Sequence, residues 1–132
     1  MSEENVTAVR RIYENFARGA VEEVLAGLQP DVEWIESEAE FMPQRGTHVG
    51  PGAVAEKVFG VLPVIFESFA ATPLTVHDAG EVVVVEGRTS GVTRTGHALD
   101  AAAVWVLTLR DGRVARMVNY HDTDAWRRAL VV

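Results

Sequence analysis

The feature that most constrains this chain is a change of hydrophobic period part-way along it. Up to residue 69 the apolar side chains recur at helical spacing: Val6, Val9, Tyr13, Phe16 and Ala17, then Val21, Val24, Leu25 and Leu28. A third stripe runs through Val54, Val58, Leu62, Ile65, Phe66 and Phe69. After Pro73 the texture becomes that of strands. Residues 74–77, 82–95, 97–109 and 113–121 are rich in valine, threonine and aromatic residues. The turns Asp78-Ala79-Gly80 and Arg110-Asp111-Gly112 punctuate them as antiparallel hairpins. Helices first and a meander afterwards predict an α+β fold rather than an alternating one, with a curled sheet laying its concave face on the helices.

Breakers set the expected boundaries. Gly19 ends the first helix, Pro30 closes the second, and residues 31–36 read as a short strand. Residues 37–50 have no period and hold Pro43, Gly46 and Gly50, so they read as a long loop of the kind that covers a site. Pro51 opens the third helix, which Pro63 kinks, and Asp122 offers a cap to a final helix over 125–131.

The 132 residues suit one domain, 1–132, with no internal repeat or linker. Hydrophobic residues make up 48% and charged residues 23%, enough apolar surface for a core and outside the range of disordered chains. Twelve basic against nineteen acidic residues leave a net charge of −7, which argues against nucleic acid and anionic membranes as partners. The absence of cysteine excludes disulfides, thiolate nucleophiles and sulfur-ligated metals. The first residues show no basic stretch followed by an apolar one, and the longest apolar runs, 82–85 and 101–107, are strand-length. A cytoplasmic protein is expected.

Few motifs carry chemistry by themselves. Gly50-Pro51-Gly52-Ala53-Val54-Ala55 matches a G-x-G-x-x-A turn in form, yet no parallel strand precedes it, so it reads as the start of a helix. His48, His77, His97 and His121 show no zinc-type spacing, so no metal and no cofactor are expected. Of the acidic cluster Glu33, Glu36, Glu38 and Glu40, only Glu36 is a candidate for a site.

The order of elements and several landmarks resemble the SnoaL-like and ketosteroid-isomerase-like branch of the nuclear transport factor 2 superfamily. The landmarks are Ala8-Val9-Arg10-Arg11-Ile12-Tyr13, Pro30-Asp31-Val32-Glu33-Trp34, Arg45-Gly46-Thr47-His48-Val49-Gly50-Pro51 and Arg94-Thr95-Gly96-His97. Val104-Trp105-Val106-Leu107, Arg110-Asp111-Gly112-Arg113-Val114 and Tyr120-His121-Asp122-Thr123 complete them. The resemblance implies a cone-shaped α+β barrel of about three N-terminal helices, a curved mixed sheet and a short C-terminal helix, commonly a homodimer through the sheet. In ketosteroid isomerases a carboxylate at the end of the first strand shuttles a proton, and a tyrosine on the first helix and a neutral aspartic acid steady the enolate. Glu36 and Tyr13 match the first two, while Trp105 stands where the aspartic acid would be. Asn119 stands near the aspartate base of SnoaL-type cyclases.

Alternation along the strands then names a pocket. With Glu36 inward, Trp34 is inward too. The resemblance suggests Val84, Glu86, Arg88 and Ser90 on the concave side of the next long strand. It adds Trp105 and Leu107, and then Ala115, Met117, Asn119 and His121. Phe59 and Phe66 would complete an apolar wall suited to a small hydrophobic ligand. The expected catalytic set is Glu36 as base with Tyr13, Glu86 and Arg88. Trp34, Phe59, Phe66, Ser90, Trp105, Met117, Asn119 and His121 would hold the substrate. The expected function is cofactor-independent proton transfer on a small apolar carbonyl compound: isomerisation, cyclisation or a related reaction. The alternatives are a dimeric protein that binds a hydrophobic ligand without chemistry, or epoxide hydrolysis by Glu36, Glu86 and Arg88.

Overall fold

The computed structural model describes residues 2–131. Two helices, α1 (Ser2–Ala17) and α2 (Val21–Ala26), lead into β1 (Leu28–Ile35). A loop and the short β2 (Thr47–Val49) precede α3 (Pro51–Val54), which continues through a π-helical turn over 55–59. After α4 (Leu62–Ile65) come four long strands, β3 (Phe66–Ala79), β4 (Val82–Thr93), β5 (Ala98–Arg110) and β6 (Arg113–His121). Helix α5 (Thr123–Leu130) ends the fold, with the Asp122 carboxylate accepting from the Ala125 N–H at 3.3 Å. The six strands form one curved, unclosed sheet in the order β2-β1-β6-β5-β4-β3, antiparallel except where β1 runs parallel to β6. This is the expected α+β architecture. Among the described residues no helix is long and apolar enough to cross a membrane.

Three boundaries differ from the sequence reading, each because long-range pairing overrides a local signal. Pro30 lies inside β1 rather than ending α2. It is tolerated because the β1–β6 ladder is interrupted between Leu28 and Glu33, so no ladder donor is lost. The third helical stripe ends at Ile65, and Phe66 and Phe69 pair with Thr93 and Gly91 as strand residues, so β3 begins well before Leu74. Val54, Val58, Leu62 and Phe66 are nevertheless all buried, so their spacing reported burial correctly while the backbone changed beneath them. Within the 37–50 stretch, residues 47–49 form an edge strand on β1.

Two glycines let the sheet curl. The β3–β4 ladder shifts register between Phe66 and Ser68 and again between Pro73 and Thr75. Opposite these bulges stand Gly91 and Gly87, where a Cβ would lie 2.2 Å from the Ser68 carbonyl oxygen and 2.3 Å from that of Thr72. Only glycine admits such approach, and bulges bend the strand that carries them. The concave face then holds two apolar clusters. One joins α1 (Val9, Ile12, Tyr13) to Trp34, Val83, Val85, Trp105 and Leu107, and the other joins α5 (Trp126, Ala129) to Met42, Leu62, Phe66 and Leu99.

The face of β4 is the reverse of the one expected. Val83, Val85, Gly87 and Thr89 are buried, and Val84, Glu86, Arg88 and Ser90 lie on the opposite face. Charge decides it: Glu86 and Arg88 reach water and cross-strand partners on the convex side, His77 at 2.6 Å and Asp100 at 2.7 Å. On β6, a bulge between Thr108 and Leu109 makes Val114, not Ala115, the core residue at the strand start.

Candidate functional site

A cavity lies between the two clusters, lined by residues of α1, the end of β1, the 37–46 loop, the π-turn, strands β3 to β6 and α5. Its free space is about 60 Å³. At roughly 10–15 Å³ of such space per water, this holds about four to six waters, on the order of a bicyclic organic molecule. The walls are aromatic and aliphatic: Tyr13, Phe16, Trp34, Phe59, Phe69, Trp105, Met117 and Trp126. Trp34 stands edge-on to Phe59 (5.5 Å, 83°), and Tyr13 packs on Trp105 (5.1 Å).

The ionisable groups of the cavity meet at the end of β1. Glu36 follows Ile35 and, by strand alternation, shares the inward face of Trp34. Its backbone N–H donates to the Gly46 carbonyl at 2.9 Å, closing the base of the loop. The Trp34 indole N–H donates to Glu36 Oε2 at 2.7 Å, and His121 Nε2 lies 3.2 Å from Oε1. The Glu36 and His121 side chains are each only 4% exposed. A carboxylate buried this deeply needs donors on both oxygens, and these two supply them. The Asn119 amide, alongside on β6, donates to the Ile35 carbonyl at 3.1 Å and ties β6 to the strand end that carries Glu36.

Five buried side-chain polar atoms have no hydrogen-bond partner among the described residues: Tyr13 Oη, Gln44 Oε1, Thr89 Oγ1, His121 Nδ1 and Trp126 Nε1. All five residues line this one cavity. Buried polar groups are nearly always paired, so these five residues make the cavity a candidate place for the polar atoms of water or a ligand. Burial also raises the Tyr13 hydroxyl well above its usual value, which keeps the phenol neutral. Among the described residues no three histidine, aspartate or glutamate side chains gather as they would around a metal ion.

The family model of the SnoaL-like domain matches residues 9–117 of this chain. The chain belongs to the SnoaL-like domain family. Solved structures share its NTF2-like fold over nearly the whole length. An NTF2-like protein of unknown function from Burkholderia pseudomallei K96243 is 27% identical, with 98% of each chain covered and a TM-score of 0.89. TerC, co-crystallised with polyporic acid, is 28% identical over 98% of this chain and 99% of its own, also with a TM-score of 0.89. A putative polyketide cyclase from Xanthomonas campestris pv. campestris shares the fold at 22% identity, with 97% of each chain covered and a TM-score of 0.81. No curated protein matches this SnoaL-like chain.

Of the residues singled out from sequence, the SnoaL-like fold brings Glu36, Tyr13, Trp34, Phe59, Trp105, Met117, Asn119 and His121 to the cavity. It sets Glu86, Arg88 and Ser90 on the far side of the sheet. Phe66 falls outside the cavity, packed on Phe69 (5.1 Å) and Trp126 (5.7 Å), and Phe69 lines the wall in its place. Sequence reasoning missed Gln44, Thr89 and Trp126. Thr89 had a signal: in Glu86-Gly87-Arg88-Thr89 the charged pair and the small pair alternate, and polarity alone assigns the small pair to the core. Trp126 had one too, in the Ala125-Trp126-Ala129 stripe of α5.

Proposed function

We propose that the chain is a cofactor-independent enzyme that moves a proton next to the carbonyl of a small, largely apolar compound, with Glu36 and His121 as its acid–base unit. The observation that carries this reading is the buried Glu36–His121 contact, 3.2 Å long, inside an aromatic cavity. In the tautomer whose Nε2–H donates to Glu36, the imidazole lone pair lies on Nδ1, the nitrogen without a partner. Each Glu36 oxygen also retains one lone pair beyond the contact it makes. The unit takes a proton from the carbon beside the carbonyl. The C–H electron pair becomes the C=C bond of an enolate, and the carbonyl π pair moves to oxygen. The Trp126 indole N–H, a donor only, stands unpaired beside His121 (ring centroids 5.1 Å) and is suited to hold that oxygen. Return of the proton to the same carbon gives hydrogen exchange, and its delivery to a carbon conjugated with it completes an isomerisation. Attack of the enolate within the molecule would give a cyclisation.

The family supports a small-molecule ligand, and the related TerC was co-crystallised with one, polyporic acid. Epoxide hydrolysis by Glu36, Glu86 and Arg88 loses its basis, since the last two lie on the opposite face. The test is solvent-deuterium incorporation into 2-tetralone. The wild type is expected to accelerate exchange above buffer, and Glu36→Gln to lower the acceleration at least about 100-fold, the usual scale of general acid–base catalysis. Ligand binding without any exchange would instead favour a binding protein.

We also propose a homodimer through the convex face of the sheet. There Val84 and Val106 lie in cross-strand register, beside Val104 and a 58% exposed Tyr120. An apolar stripe of this kind on an open sheet is suited to a second copy of itself.

A further inference from the structure

Tyr13 and Thr89 have no part in the step above, yet both are buried, at 6% and 2% exposure, with unpaired hydroxyls. They belong to one side of the cavity. The Trp105 indole reaches from β5 across β4, where its Cζ3 would lie 2.6 Å from a Cβ on Gly87. Tyr13 packs on that indole, and Thr89 is the next inward residue along β4 after Gly87. Strand β5 separates β4 from β6. His121 lies across β5 from Gly87, so the Thr89 and His121 backbones are two strand spacings apart across the sheet and two residues apart along it, about 12 Å in all.

We propose that Tyr13 and Thr89 form a second polar subsite, which binds an uncharged oxygen, phenolic or ketonic, at the end of the ligand away from Glu36 and His121. Two hydroxyls can both donate to a ketone oxygen, or one can donate to a phenol and the other accept from it. No lysine or arginine lines the cavity among the described residues, so a carboxylate or phosphate would find no counter-charge there. The cavity's free space of about 60 Å³ suits a bicyclic body between the two ends. The subsite rests on the proposed function only for the direction in which the ligand lies. It narrows the substrate class to neutral, ring-based compounds with oxygen at both ends.

The experiment compares 2-tetralone with 6-hydroxy-2-tetralone, which differ by one phenolic hydroxyl, with binding read from quenching of tryptophan fluorescence. The wild type is expected to bind the hydroxylated ketone at least fivefold more tightly. Thr89→Val combined with Tyr13→Phe should bring that ratio to about one, while Thr89→Ser should keep it. Equal affinities in the wild type, no binding of either ketone, or a ratio that survives the double substitution would each overturn the subsite. Should the double variant fail to fold, Thr89→Val alone decides, by lowering the ratio or leaving it unchanged. Deuterium exchange is followed in the same samples. Its absence from wild type would sink the proton-transfer reading while the affinity ratio still judged the subsite, and Glu36→Gln should leave the ratio in place.

Discussion

Gly87 is the position where the backbone and the cavity wall can be tested together. In Gly87→Ala the new methyl would lie 2.3 Å from the Thr72 carbonyl oxygen and 2.6 Å from Trp105 Cζ3, so it requires displacement of about 1 Å on both sides. Thr72 is held in the β3–β4 ladder and Trp105 in the β4–β5 ladder, so neither moves alone. Overpacking usually costs about 1–3 kcal/mol, and a clash with backbone falls at the upper end. Removing a glycine from the unfolded chain returns about 0.5–1 kcal/mol, leaving a net loss of about 2 kcal/mol. For a domain of this size that lowers Tm by about 6–10 °C. Gly52→Ala is the control, since a Cβ there meets nothing within 4 Å, and it should be neutral or raise Tm slightly. Thermal unfolding followed by circular dichroism reads both, and tryptophan fluorescence reports whether Trp105 has moved. A Gly87→Ala protein that melts within about 2 °C of wild type, on a scale of about 4 °C per kcal/mol, would refute the close approach and the sheet curvature built on it.

Three further outcomes follow from the same geometry. Trp34→Phe keeps the aromatic wall but removes the 2.7 Å donor to Glu36, and should cut tetralone exchange by about tenfold or more, the worth of a hydrogen bond to a charged group; unchanged exchange would show that Glu36 is held without it. Burial raises the Tyr13 pKa above its unfolded value near 10. The neutral phenol therefore contributes fully below about pH 10, and stability falls as pH rises beyond that; Tyr13→Phe should flatten this alkaline loss in denaturant titrations at pH 9 to 11.5, and an identical slope would contradict it. Tyr120→Glu puts charge beside the apolar stripe of the convex face and should convert the proposed dimer to monomer by light scattering; an unchanged mass would contradict that interface.

How much of this was legible in the sequence depended on whether a residue's local pattern carried its direction. Trp34 and Glu36 flank a single residue on a short strand, so one inward assignment fixed the other. Met117, Asn119 and His121 follow the same alternation along β6. Strand β4 opens with four consecutive valines, 82–85, which read equally well in either phase. The resemblance chose the phase that carried Glu86 and Arg88 inward, whereas the cost of burying two charges beside an apolar core chooses the other. Phe66 and Phe69 sit at helical spacing from Leu62 and Ile65, so no local signal told that the chain becomes a strand there. Pairing with Gly91 and Thr93, more than twenty residues away, decides it. Gln44 belongs to a loop without period, and its burial arises from a backbone closure between residues 36 and 46 that no sequence pattern reports.

The most direct test of the central claim is a crystal structure with 2-naphthol, a flat mimic of the enol of 2-tetralone that cannot itself turn over. The account places the ring among Tyr13, Trp34, Phe59 and Trp105, its oxygen within hydrogen-bond distance of Trp126 Nε1, and C1 against Glu36 and His121. Naphthol bound only outside the cavity, or Glu36 turned away from His121 to solvent, would contradict it.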